Sequence, residues 1–167
     1  QLTAVLTVWI DVNNTVGGDN TFDVPAGKST KTFDFVAPLD GRILGIGGHL
    51  HDYGTAIRLE DAASGATLVR LTASSDKQGH IIEVSRKFYA FNAIRLKAGH
   101  HYHLVAEYNS PLDHTLVNGA MANIGAVFAP DDPRKWPAID ASNPEFRRDM
   151  STLGLGVWAS PARSTQR

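Results

Sequence analysis

The chain is dominated by short apolar stretches in which hydrophobic and polar residues alternate with a period of two. In the segment 31–36, Phe33 and Phe35 share one face while Thr32 and Asp34 share the other. Such alternation is typical of a β-strand with one buried and one solvent-exposed face. Stretches rich in Val, Ile, Thr, Phe and Tyr predict nine strands, near residues 4–12, 21–24, 29–36, 41–50, 56–61, 67–73, 87–96, 103–108 and 122–128.

Turn-forming residues separate these strands at spacings typical of an antiparallel sandwich. The pairs Asp40-Gly41 and Ser64-Gly65 supply the backbone conformations that chain reversals need, and residues 61–65 predict a hairpin loop. Helical periodicity is nearly absent before residue 140. The pattern therefore predicts an all-β fold, an antiparallel jelly-roll-type β-sandwich of about eight or nine strands.

The sequence changes in character after residue 130, where four prolines and two tryptophans interrupt the strand pattern. Asn143 and Pro144 match a helix N-cap and an N1 proline followed by an acidic first turn, which predicts a short helix over 144–153. We therefore divide the chain into a β-sandwich domain, 1–130, and an irregular, partly helical tail, 131–167. The apolar residues of this tail need burial, so we expect it to pack on the sandwich or on a partner chain.

Composition narrows the functional classes. A chain of 167 residues fits one domain, and 43% hydrophobic residues, 20% charged residues and a net charge of -1 describe an ordinary globular protein. The basic residues form no stripe, so there is no electrostatic case for a nucleic-acid partner. No run of 18 apolar residues predicts a transmembrane segment. The absence of cysteine excludes thiolate metal sites and cysteine nucleophiles.

The strongest chemical signal is the pair His49 and His51, within an apolar, strand-like segment. On a strand, side chains two residues apart point to the same face with Cα atoms roughly 6.5 to 7 Å apart. Both imidazoles can therefore turn toward one ion, although two surface histidines would show the same spacing. Met121 strengthens the metal interpretation, because a thioether is a soft ligand that favours Cu(I) while imidazole suits several transition metals. We expect its side chain to point from a strand start toward the sandwich interior.

The other histidines also lie between residues 49 and 114. His114, seven residues before Met121, is a candidate further ligand, with a hydrogen bond that orders its loop as the alternative. Strand alternation puts His101 and His103 on one face and His100 on the other, so we expect a polar turn and strand start rather than a second metal site. We expect His80 to be exposed.

One aspartate and two tyrosines have alternative roles at the candidate site of His49 and His51. Asp52, beside His51, could orient an imidazole N–H or be simply solvated. Tyr53 and Tyr108 could line the site, but aromatic packing in the core or across strands is the default expectation.

These residues together resemble a known family. A glycine-rich run leads into His49 and His51, a strand ends in Glu107-Tyr108-Asn109-Ser110, and Asn118-Gly119-Ala120-Met121 precedes a final strand. This order is similar to the second domain of the copper type II, ascorbate-dependent monooxygenases, which include peptidylglycine alpha-hydroxylating monooxygenase and dopamine beta-monooxygenase. It also resembles related single-domain sequences such as the stress-upregulated nodulin-like plant proteins. The resemblance covers about residues 20–130.

The resemblance implies a jelly-roll-type sandwich that holds one copper ion through His49, His51 and Met121. In the family, the open position on this copper binds oxygen and carries out hydroxylation. The family's second copper is held by three histidines of a preceding domain, which these 167 residues do not include. The resemblance and the copper chemistry also imply a periplasmic or secreted protein.

Two functions remain open from the sequence. In the first, the chain is a copper-binding, monooxygenase-like oxidoreductase domain that draws electrons from a small-molecule reductant. In the second, it is a non-catalytic structural or interaction subunit of a larger extracytoplasmic or membrane-associated assembly, and it docks on a protein partner through the 131–167 tail.

Overall fold

A computed structural model of the chain describes residues 4–13, 20–138 and 140–152. These residues form twelve strands, one turn of 3-10 helix at Pro133–Lys135 and one α-helix. The strands are β1 (Leu6–Asp11), β2 (Phe22–Val24), β3 (Gly27–Val36), β4 (Gly41–Leu50), β5 (Gly54–Asp61), β6 (Thr67–Ser75), β7 (Ile81–Val84), β8 (Arg86–Phe88), β9 (Ile94–Leu96), β10 (His101–Ser110), β11 (Leu116–Ala120) and β12 (Ala122–Pro130), and the helix is α1 (Pro144–Thr152).

The strands build three antiparallel sheets, of which the two larger ones face each other across one core. The first sheet has the order β1-β12-β4-β8, and β9 also pairs with β4. The second sheet has the order β3-β10-β5-β6-β7, and β11 pairs with β2 alone. Strands that are consecutive in sequence, such as β3, β4 and β5, alternate between the two sheets. This interleaving is the jelly-roll arrangement, so the predicted all-β sandwich fold is confirmed.

The core lies between the sheets and is filled by the inward side chains of both. Ile43 and Ile124 of the first sheet, and Ile57 and Leu104 of the second, are almost completely removed from solvent. Burying a side chain of this size stabilises the fold by about 1.5–3 kcal/mol. Because this burial selects one face of every strand, it also decides which residues must point outward.

The structure departs from the predicted strands in two ways: one predicted strand is divided, and two strands were not predicted. The predicted strand 87–96 is divided into β8 and β9, because the backbone leaves the extended region between them, where Asn92 has a φ of 56°. The strands β7 and β11 were not predicted. In β11, Asn118 has a φ of 52°, and only Leu116 and Ala120 have paired partners on β2. Such an irregular strand has no clear period of two.

The helix predicted over 144–153 is present as α1, and its final predicted residue lies outside the described residues. The side-chain oxygen of Asn143 accepts a hydrogen bond from the backbone N–H of Phe146 at 3.3 Å, which is the predicted N-cap. The chain divides into two compact units, and residue 138 and α1 belong to a different unit from residues 21–137. No helix within the described ranges has the length and apolar composition needed to cross a bilayer.

The first prediction concerns Gly48, whose position on β4 faces the core. A Cβ atom at Gly48 would lie 2.9 Å from Cγ2 of Ile57 and 3.0 Å from Cγ1 of Val84. We expect Gly48→Val to lower the free energy of unfolding by about 1–3 kcal/mol, because it overpacks the core. Urea denaturation measures this change. The matched control is Gly47→Val, where an added Cβ would meet only Cβ of Arg86 at 3.8 Å; equal losses in both variants would contradict the assigned faces.

Candidate metal centre

His49 lies near the end of β4, and His51 follows directly after the strand on the same outer face of the first sheet. The neighbouring positions Gly48 and Leu50 point into the core, and Leu50 is only 3% exposed. Because side chains alternate along a strand, both histidines project away from the core. Their ring centroids are 5.2 Å apart and the rings are nearly perpendicular, at 81°.

The spacing of these two rings fits a shared metal ion. Metal–nitrogen bonds to imidazole are about 2.0–2.1 Å long, so two imidazoles that share one ion have ring centroids roughly 4.5–5.5 Å apart. The separation of His49 and His51 lies in this range. The centroid separation is therefore compatible with one ion bound between the two rings.

Met121, the residue directly before β12, lies opposite His51. Leu50 pairs with Ala122, and one position further the backbone N–H of His51 donates to the carbonyl oxygen of Met121 at 3.1 Å. Ala120 and Ala122 are fully buried, so alternation puts the Met121 side chain on the outer face, beside His51. Strand alternation thus favours an outward thioether at Met121, whereas the sequence analysis predicts an inward one.

Tyr108 of β10 anchors the backbone of Met121 from inside the protein. Its hydroxyl donates to the Met121 carbonyl oxygen at 2.8 Å, and the residue is 2% exposed. Burial raises the pKa of Tyr108 far above its usual range, which keeps the phenol protonated as a donor. Its ring contacts that of Phe22 edge-to-face at 5.7 Å. Tyr108 is thus a core residue that helps to fix Met121 relative to His51.

Two residues that the sequence analysis did not select complete the same face. In the ladder, Asn123 pairs with His49, and Asp11 of β1 pairs with Asn123. The three residues therefore form one row across β1, β12 and β4. This row brings together residues far apart in sequence. The only signal for Asn123 in the sequence is that it follows the candidate ligand Met121 by two positions.

The electrostatics of this row favour a neutral ligand at His49. Burial lowers the pKa of His49, the neighbouring His51 lowers it further, and Asp11 partly opposes both effects. A lowered pKa favours the uncharged imidazole, which is the form that binds metals. Asn123 is paired with His49 in the ladder, and its Oδ1 is buried and has no hydrogen-bond partner among the described residues.

His49 and His51 line a cleft of about 630 Å³ on the protein surface. Tyr53 lines it, with a φ of 66°, and its backbone N–H donates to the carbonyl oxygen of Gly79 at 3.0 Å. This bond ties the turn after β4 to the loop before β7. The cleft is lined by His49, Leu50, His51, Asp52, Tyr53, Ile81, Leu116 and Gly119.

Asp52 orients His80 rather than a ring of the candidate ligand pair. Its Oδ2 lies 2.6 Å from Nδ1 of His80, and its Oδ1 accepts a hydrogen bond from the backbone N–H of Ile81 at 3.1 Å. The hydrogen bond to Asp52 raises the pKa of His80, and the same bond lowers the pKa of Asp52. His80 is exposed, as expected from the sequence.

The remaining histidine cluster divides between two carboxylates. Nδ1 of His101 and Nε2 of His103 lie 2.9 and 3.3 Å from the two oxygens of Asp34. Nε2 of His100 instead lies 2.6 Å from Oδ2 of Asp61. The structure thus separates His100 from His101 and His103, in agreement with the predicted alternation.

His114 is exposed and lies in the loop after β10. Its Nδ1 is 2.8 Å from Oδ1 of the adjacent Asp113. Neither His114 nor Met121 is among the residues that line the cleft. Throughout the described part of the chain, no group of three or more His, Asp or Glu side chains is placed to hold a metal ion. The candidate centre contributes two such donors, because its third donor is the thioether of Met121.

Comparisons with known proteins add no functional assignment. No protein family and no curated protein matches the chain. Among solved structures, a chain from turnip yellow mosaic virus is similar with a TM-score of 0.42 and 8% identity, over 85% of this chain and 100% of that chain. A chain from Desmodium yellow mottle tymovirus gives a TM-score of 0.38 and 9% identity, over 86% and 93%. One from infectious bursal disease virus, Gx strain, gives 0.25 and 11%, over 90% and 49%. These similarities are too low to support an argument about function.

The second prediction tests the contact between Asp52 and His80. We expect Asp52→Asn to lower the pKa of His80 toward its ordinary value, because the carboxylate that stabilises the protonated ring is removed. A histidine pKa that is raised on folding stabilises the protein below the ordinary histidine range, and this contribution is lost as the pH rises through the raised pKa. An NMR titration of the ring resonances measures the shift. The matched control is Asp113→Asn, and a His80 midpoint that is the same in both variants would contradict the contact.

Proposed function

We propose that this chain is a copper-binding β-sandwich domain with one mononuclear site, in which His49, His51 and Met121 are the protein ligands. The observation that carries the proposal is the shared outer face. The two imidazole centroids are 5.2 Å apart, and the backbone of Met121 lies directly opposite that of His51, from which strand alternation directs its side chain to the same face. Two imidazoles and a thioether form a soft donor set that suits Cu(I) better than a hard ion such as magnesium.

The surrounding residues support metal binding at this position. The lowered pKa of His49 makes its uncharged ring available near neutral pH. The hydroxyl of Tyr108 and the backbone N–H of His51 both donate to the Met121 carbonyl oxygen, so the third ligand is held by two strands. The cleft gives a small molecule access to the two rings. A site built on paired strands in this way is held more rigidly than one built on loops.

We propose that the bound copper makes this domain a monooxygenase-like oxidoreductase. The copper would supply one-electron chemistry by cycling between its two common oxidation states. The chain's own residues would position the ion through His49, His51 and Met121 and leave it accessible from the cleft. A small-molecule reductant would restore the reduced state in each cycle, in a periplasmic or secreted setting.

A non-catalytic interaction subunit is the second candidate function. It is favoured by the observation that residue 138 and α1 belong to a different compact unit from residues 21–137. In this alternative, the 131–167 tail docks on a protein partner in a larger extracytoplasmic or membrane-associated assembly. The sandwich would then retain the copper site without turnover.

The third prediction tests the ligand set. We expect the purified protein to bind one Cu(I) ion in competition with a chromophoric chelator. We expect His49→Ala, His51→Ala and Met121→Ala each to weaken binding by more than the roughly 10–100-fold typical of losing a residue that only supports a ligand. His101→Ala is the matched control. His101 is an exposed histidine of the second sheet, away from the candidate site, and its ring contacts Asp34 of the same sheet.

Two outcomes would change the assignment. Copper retained by the double variant His49→Ala/Met121→Ala would eliminate this site. A comparable loss in His114→Ala would add His114 to the ligands, in spite of its contact with Asp113.

The fourth prediction separates the two candidate functions. If the domain is an oxidoreductase, the copper-loaded protein consumes oxygen in the presence of ascorbate, and His51→Ala abolishes this consumption because it removes a ligand. An oxygen electrode measures the rate, with free copper chelated as the background. One tightly bound copper ion without oxygen consumption above that background would favour the non-catalytic subunit.

A further inference from the structure

The side-chain amide of Asn123 is an unusual buried group. The residue is 2% exposed, and its Oδ1 is the one buried side-chain nitrogen or oxygen atom within the described residues that has no hydrogen-bond partner. Buried polar side-chain atoms are nearly always paired, and an exception in a folded protein calls for an explanation. A leucine of similar volume would fill the same space without this unpaired acceptor.

The ladder shows which neighbour can supply the missing donor. Asn123 lies between Asp11 on β1 and His49 on β4, each directly opposite it in the register. An ionised carboxylate only accepts hydrogen bonds, whereas a neutral imidazole carries one N–H donor and one free acceptor nitrogen. Of these two neighbours, His49 is therefore the donor that matches Oδ1.

Distance limits what Asn123 can do at the candidate centre. Directly opposite residues of an antiparallel pair have Cβ atoms about 4.5–5.5 Å apart, so an asparagine can reach the ring across from it. His51 and Met121 lie two positions further along their strands, roughly 7 Å away at the Cα atoms. The short side chain of Asn123 is therefore placed to contact His49 and not to join a metal held among the three ligands.

We propose, on the basis of the copper site proposed above, that Asn123 is a positioning residue for His49. Its Oδ1 accepts a hydrogen bond from the ring N–H of His49 that faces away from the metal. Because a neutral imidazole has only one N–H, this bond fixes the tautomer and leaves the other nitrogen free to bind copper. Metal binding then supplies the one hydrogen bond that the buried amide lacks.

The test compares two substitutions at this position. Asn123→Leu keeps the volume and removes the acceptor, and we expect it to weaken Cu(I) binding by about 10–100-fold. Its urea midpoint should be unchanged or higher, since the unpaired buried acceptor is gone. Asn123→Asp keeps an acceptor in the same place and should retain binding within a few-fold of the wild type. The matched control is Asn109→Leu, at an exposed position of β10.

A spectroscopic measurement makes the test independent of affinity. Long-range ¹H–¹⁵N spectra of the Cu(I)-loaded wild type should show a single tautomer for His49, and Asn123→Leu should show a mixture. A mixture in the wild type would overturn the proposal even if the leucine variant failed to fold.

The outcomes separate this inference from the proposed function. If the wild type binds copper and Asn123→Leu binds it equally tightly with the same tautomer, the role of Asn123 is overturned and the copper site stands. If the wild type itself binds no copper, the proposed function is overturned, and the inference with it.

Discussion

The register between β4 and β12 is the constraint on which the candidate site depends. Leu50 faces Ala122 in this ladder, and both side chains are buried in the core. A shift of one residue would turn every side chain of the strand to the opposite face. It would expose Leu50 and bury His49 and His51. The free energy of burying the core therefore also holds the two imidazoles on the outer face.

The same register brings the third ligand and its support into place from distant parts of the chain. Met121 meets His51 only because Ala122 is held opposite Leu50, and Tyr108 reaches the Met121 carbonyl oxygen only because β10 lies across the core. The expected geometry of the site is thus a property of the two-sheet packing. Substitutions far from the imidazoles, such as those that overpack the core below β4, should disturb the site through the strand itself.

The sequence was sufficient where short-range pattern determines structure, and insufficient where long-range pairing does. The bounds of β4 and the N-cap at Asn143 followed from alternation and turn chemistry. The facing row of Asp11, Asn123 and His49 did not, because it joins three strands whose register no local pattern specifies. The side-chain direction of Met121 could not be derived from the sequence for a related reason. It depended on which of three consecutive residues, 120–122, the core would accept.

Several positions that break local rules lie together on the β4–β12 ladder. Glycines weaken a strand interior, yet β4 carries Gly47 and Gly48 directly before His49. An unpaired buried acceptor destabilises a fold, yet Asn123 keeps one opposite that same histidine. Natural sequences are locally consistent except where a site demands otherwise. The packing of Ile57 and Val84 against Gly48 accounts for that glycine. The unpaired acceptor of Asn123 has no such explanation in the core, and it is the departure that the proposed site would explain.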